Sequence, residues 1–365
     1  MKYELKEAFK KAAKAHNTGD LKLAHRIYLS ILQKEPQHPF ANYGMGRLAA
    51  KLEEHGKALS FFKTAATEKP AIKRFWISYI STLIELGRLN QATAALNQAR
   101  EKGVEDAKLD QLRERINQKE TIRRKESNNY LNIGISHKKN GNLTAAIENY
   151  KSALNINPSF PEAHNNLGNA LREKGELAAA VKSFEKATKL KPNMVQAHFN
   201  LANTLQEQEK LDLAIQSYKR TTKIAPNFAQ AYFNMGNALK DQKDYDAAIS
   251  MYKKVIEFAP DFADSYNSLA TSFQLKGVYE AAAENYNKAL TIWGSISDTN
   301  LPKYRDCTAK LAECLYEMNK VDDLNGLILK AADEDPANIR LASLCSFITQ
   351  QWKQENVYPF CREPL

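Results

Sequence analysis

Asparagine recurs at a fixed interval: Asn132, Asn166, Asn200 and Asn234 stand 34 residues apart, and Asn169, Asn203 and Asn237 repeat that interval three places further on. A side-chain amide carries N–H donors and a carbonyl acceptor, the same pairing that a peptide bond presents. A row of such amides on one face can hydrogen-bond the main chain of an extended peptide with little regard to its side chains. Phe199 and Phe233 directly precede two of the asparagines. They add apolar pockets to the same face or pack against the next helix. The competing reading is that repeat duplication copied the asparagines, whose partners are then local groups or solvent.

Other side chains with chemical potential are not arranged to use it. His164 and His198 share the 34-residue interval, and with His137 they fall in packing slots, so they read as core or interface residues rather than ligands or bases. Cys307, Cys314, Cys345 and Cys361 match neither paired zinc-ligand spacing nor a disulfide framework, which predicts reduced, buried thiols. Gly44-Met45-Gly46 falls inside a predicted helix and follows no strand, so it is not a nucleotide loop. Asp322-Asp323 is an exposed pair. No nucleophile motif, paired catalytic carboxylates or metal spacing is present, and the expectation is a non-enzyme with no cofactor and no metal.

The elements that position these residues follow from the prolines. Pro36 and Pro70, and then Pro158, Pro192, Pro226 and Pro260, are spaced by 34 within each set. Placing them at position 32 of a 34-residue frame gives starts at Leu5, Pro39, Lys73, Ser127, Pro161, Val195, Ala229 and Ala263, with a ninth at Arg305 after an insertion at 297–304. Position 8 is then Gly or Ala except for Ile80, position 20 is Ala except for Leu324, and position 24 is a large apolar residue throughout. Positions 4, 7, 8 and 11 form one helical stripe, and positions 2, 5, 6, 9, 12 and 13 form another.

In period and in these positions the chain resembles the tetratricopeptide-repeat (TPR) family over nine frames. The resemblance implies an all-α, right-handed superhelix, an α-solenoid of about nine helix-turn-helix repeats. Each repeat has helices A and B, with the A helices lining a concave groove. Gly19, Gly87, Gly141, Gly175 and Gly277 match the family turn at position 15, while Glu53, Glu209, Lys243 and Asn319 depart from it. The asparagine rows resemble those in the TPR superhelix of O-linked N-acetylglucosamine transferases. Position 5 never carries the lysine of the carboxylate clamp, so chaperone C-terminal peptides are not expected partners.

The expected organisation is a basic three-repeat block at 1–106, a charged connecting helix and hinge at 107–126, and five repeats at 127–296. The insertion at 297–304, a degenerate repeat at 305–338 and a capping helix with tail at 339–365 complete it. Residues 1–126 hold 25 Lys and Arg against 15 Asp and Glu, while the remainder is balanced, so the net charge of +10 belongs to the first block. Phosphate binding through Lys10, Lys11 and Lys14 or Arg123, Arg124 and Lys125 is one reading. Solvated helix faces are the favoured one, and nucleic acid is not an expected partner. No run is apolar enough to span a membrane, and a cytoplasmic location is expected. The function expected is a non-catalytic scaffold holding an extended peptide or partner helix in the groove of repeats four to eight. The alternative is a recruiting arm for a larger transferase or oxygenase, with the apolar tail 356–365 beginning a further domain instead of folding back.

Overall fold

The computed structural model describes residues 2–295 and 301–334. Pro336, the capping stripe Leu341, Leu344, Cys345, Ile348 and Trp352, the tail 356–365 and residues 297–300 of the insertion lie outside them. The described residues form eighteen helices and no strand. The A and B helices of the first three repeats are α1 (Lys2–Asn17) and α2 (Leu21–Lys34), α3 (Pro39–Lys51) and α4 (His55–Glu68), and α5 (Lys73–Glu85) and α6 (Leu89–Glu101). A long helix, α7 (Ala107–Lys139), contains the connecting segment and helix A of repeat four, whose helix B is α8 (Leu143–Ile156). Then come α9 (Pro161–Glu173) and α10 (Leu177–Leu190), α11 (Val195–Glu207) and α12 (Leu211–Ile224), and α13 (Ala229–Asp241) and α14 (Tyr245–Phe258). The last two pairs are α15 (Ala263–Leu275) with α16 (Tyr279–Gly294), and α17 (Leu301–Glu317) with α18 (Val321–Glu334). Residues 301–304 of the insertion thus belong to α17, and the degenerate ninth repeat forms a helical pair with Leu324 fully buried.

A small residue opposite a large ring closes each hairpin. The alanines at position 20, from Ala24 to Ala282, are fully buried, and so are Tyr150, Phe184, Tyr218, Tyr252 and Tyr286 at position 24. A Cβ added at Gly134, Gly168 or Gly236 would lie 2.6 to 2.7 Å from the ring of Tyr150, Phe184 or Tyr252, so the ring occupies the space that glycine leaves. Burying each ring contributes roughly 2 kcal/mol.

The A-to-B turn keeps one geometry in all nine repeats. The five glycines at position 15 have positive φ, and so do Glu53 (59°), Glu209 (59°), Lys243 (64°) and Asn319 (55°). The departures from glycine change the residue and not the turn. At the other end of the repeat, the proline carbonyl at position 32 is capped from position 4 of the following helix. Asn42 Nδ2 donates to Pro36 O (2.9 Å) and Trp76 Nε1 to Pro70 O (2.8 Å), while His164 and His198 place Nε2 3.0 Å from Pro158 O and Pro192 O. A carbonyl only accepts, so Nε2 carries the proton in both histidines.

The chain divides into two compact units, Met1–Asn129 and Tyr130–Leu365. In the first, Leu109, Leu112 and Ile116 of α7 are buried in one core with Phe75, Trp76, Leu96 and Val104. Arg115 pairs with Glu85 at 2.9 Å, and Arg100 with Asp110 at 2.7 Å. The first half of the connecting segment, up to Ile116, therefore packs on the third repeat as the next helix of its stack. In the second unit the A helices α9, α11, α13, α15 and α17 each touch the next, whereas successive B helices approach less closely. That difference curves the stack toward its A face.

Candidate peptide-binding face

The asparagines lie together on the A face of the second unit, and their environments differ. Asn200 is buried: its Nδ2 donates to Asn165 Oδ1 of the preceding repeat (3.1 Å), and its Oδ1 accepts from Gln196 (3.0 Å). Asn234 is also engaged at both ends, donating to Asn203 Oδ1 (2.9 Å) and accepting from Gln230 Nε2 (3.0 Å). In these two repeats position 6 links neighbouring A helices. Asn165, Gln196 and Gln230 were not singled out in the sequence, although Gln196 and Gln230 are themselves 34 residues apart.

Position 9 behaves differently. Tyr218 Oη donates to Asn203 Oδ1 at 2.6 Å and also lies 2.8 Å from Gln206 Oε1, and Tyr252 Oη donates to Asn237 Oδ1 at 2.7 Å. Burial pushes both tyrosine hydroxyls far above their ordinary range, so they remain donors at any physiological pH. Each tyrosine turns an asparagine carbonyl inward and leaves its NH2 without a partner among the described residues. In repeat five, position 24 is Phe184, which has no hydroxyl, and half-buried Asn169 has neither end engaged. Asn166, half-buried, and Asn132, exposed, are likewise unpartnered. Phe199 is 9 % exposed and packs on Phe228 (4.9 Å) and Tyr218 (6.1 Å). Half-buried Phe233 packs on Phe262 (5.0 Å) and Tyr252 (5.9 Å). Both rings serve inter-helix packing, and Phe233 alone keeps an accessible edge.

Charged residues fringe the same face. Lys138 pairs with Glu173 at 2.7 Å, and Arg172 approaches Glu207 at 3.9 Å, joining the ends of successive A helices. Pairs this exposed stabilise by at most about 1 kcal/mol. Among the described residues no cluster of His, Cys, Asp and Glu could hold a metal ion. Cys307 and Cys314 are buried, and burial pushes both thiols up to about 12. No described helix is long and apolar enough to cross a membrane.

The TPR repeat model matches residues 134–171, 168–209 and 205–243, and tetratricopeptide-repeat models match 229–262 and 49–116, together more than half of the chain. The chain is a tetratricopeptide-repeat protein. Among solved structures, this TPR chain is 26 % identical to MamA over 46 % of its own length and 91 % of MamA, with a TM-score of 0.45. It is 26 % identical to YrrB, described as a TPR protein with an unusual peptide-binding site, over 45 % and 84 % of the two chains with a TM-score of 0.42. The corresponding figures for Pseudomonas aeruginosa PilF are 17 %, 61 %, 98 % and 0.48. No curated protein sequence matches the chain. A TPR array of this kind is a protein-interaction scaffold.

Proposed function

We propose that the second unit binds an extended peptide along its A face, without catalysing a reaction on it, through the asparagine NH2 groups at position 9. The carrying observation is the Tyr-to-Asn pair in repeats six and seven. It fixes Asn203 and Asn237 with their carbonyls inward and their donors free to meet main-chain carbonyls of a ligand. Asn169, Asn166 and Asn132 extend the row toward repeat four, and the edge of Phe233 supplies an apolar contact. Asn200 and Asn234 keep neighbouring A helices in register.

The division of labour selects the test. Alanine at Asn200 or Asn234 removes a stacking bond, alanine at Asn203 takes the acceptor from Asn234 and leaves Tyr218 only Gln206, and alanine at Asn237 removes the acceptor of the buried Tyr252 hydroxyl. Asn169→Asp, Asn203→Asp and Asn237→Asp together keep an acceptor for each hydroxyl and exchange the outward donor for an acceptor. Three lost hydrogen bonds at about 1 kcal/mol each should weaken peptide binding by roughly two orders of magnitude. Peptides selected on the native chain would be titrated against both proteins by calorimetry. Unchanged affinity in a folded triple variant overturns the reading.

A further inference from the structure

Helices α1, α3, α4 and α5 of the first unit line an open pocket of about 590 Å³ that differs in chemistry from the asparagine face. Its walls include Tyr43, Phe62 and Ile77, and its lining carries the cations Arg47 and Lys51 beside His16, with no carboxylate. Arg47 and Lys51 stand one turn apart on α3, and neither has an ion pair among the described residues. Like charges at that spacing destabilise a helix. His16 is 8 % exposed, and its Nδ1 is buried with no hydrogen-bond partner among the described residues. The two exposed cations of α3 thus face the pocket with no carboxylate in its lining to balance them. Burial, reinforced by Arg47 and Lys51, lowers the His16 pKa and favours the neutral ring in the unliganded protein.

We propose that this cavity is a second, independent peptide site, which takes an acidic side chain of an extended segment and seats an adjacent apolar residue against Tyr43, Phe62 and Ile77. A carboxylate supplies the counter-charge that Arg47 and Lys51 lack, and charge-assisted bonds of this type are about twice as strong as neutral ones. The apolar half of the wall favours a peptide over a nucleic acid. Nucleic-acid binding rests on a stripe of cations that follows successive phosphates, and here the cations form a single pair within one concave pocket. Lys10, Lys11 and Lys14 do not line it, so the excess charge of the first block and this pocket are separate features.

The test is an array of short, amide-capped peptides with a central Glu among apolar residues, each beside its Gln counterpart. The array is developed with the full chain, with Arg47→Gln/Lys51→Gln, and with the Asn169→Asp/Asn203→Asp/Asn237→Asp variant. The expected result is a subset of peptides retained about tenfold better as Glu than as Gln, a preference abolished by the Arg47/Lys51 variant. The asparagine variant should retain that preference, which separates this site from the asparagine face. Arg47 and Lys51 are exposed, so their replacement should leave the helical circular dichroism unchanged. Equal retention of Glu and Gln peptides, a Glu preference that survives in the Arg47/Lys51 variant, or no retention of any peptide overturns the proposal. So does displacement of the retained peptides by a single-stranded DNA oligonucleotide that itself binds through Arg47 and Lys51.

Discussion

Four charged or amide side chains hold a backbone conformation that suits glycine. Glu53, Glu209, Lys243 and Asn319 all have φ between 55° and 64° at the A-to-B turn. Left-handed backbone costs a residue with a Cβ roughly 1–2 kcal/mol, less for Asn. Lys243→Gly and Glu209→Gly should therefore each stabilise the second unit by about 1 kcal/mol, read as a raised midpoint in urea denaturation. A second repair concerns Tyr150, whose buried hydroxyl has no partner among the described residues. In its repeat the slot that holds Asn203 and Asn237 is occupied by Ile135, 44 % exposed. Ile135→Asn should supply the acceptor and stabilise by about 1 kcal/mol. If it destabilises instead, the Tyr-to-Asn pair is not transferable between repeats.

At the scale of the element, the joint between one repeat and the next depends on a donor at position 4 meeting the proline carbonyl at position 32. His164 and His198 make that joint in the neutral form, because burial lowers both pKa values below the ordinary 6.5, outweighing the hydrogen bond to proline. Below about pH 6.5 the unfolded chain then binds more protons than the folded one, and stability rises with pH across that window. Thermal midpoints should fall as the pH drops from about 7 to 5, where unfolded-state histidines titrate. In the His164→Asn/His198→Asn variant, which reproduces the Asn42 joint, this slope should shrink, leaving a remainder from His16. An undiminished slope would assign the acid sensitivity to other groups. The sequence placed both histidines in packing slots, and the structure adds the capping bond, which no spacing rule contains.

For the whole molecule, the helix shared by the two units is the element to test. In α7, residues 117–126 are exposed apart from half-buried Arg123, while Leu109, Leu112 and Ile116 before them are packed on the third repeat. We propose that bending between the units is concentrated in this exposed stretch. Lys119→Pro removes a helical hydrogen bond and adds a clash, a cost of about 3 kcal/mol that weakens α7 within this exposed stretch. Small-angle scattering of that variant should show a broader distance distribution than the native chain, with helicity elsewhere unchanged. Identical curves would place the bend elsewhere.

The period, the hairpins and the pairing of small residues at positions 8 and 20 with a ring at position 24 are legible in the amino-acid order alone. In a solenoid each repeat contacts only its neighbours, so every core contact is written within one or two periods of the chain. That order also placed the asparagines on one face. It did not separate Asn203 and Asn237, with donors left open, from Asn200 and Asn234, which are committed to the stack. That separation depends on whether a tyrosine hydroxyl or a neighbouring amide comes within about 3 Å, the range of a hydrogen bond. The cavity around His16, Arg47 and Lys51 was equally hidden, because its walls come from three repeats and its character lies in charges left unpaired. Which partners come within reach, and so which polar groups remain available to a ligand, is set by how the helices pack in three dimensions.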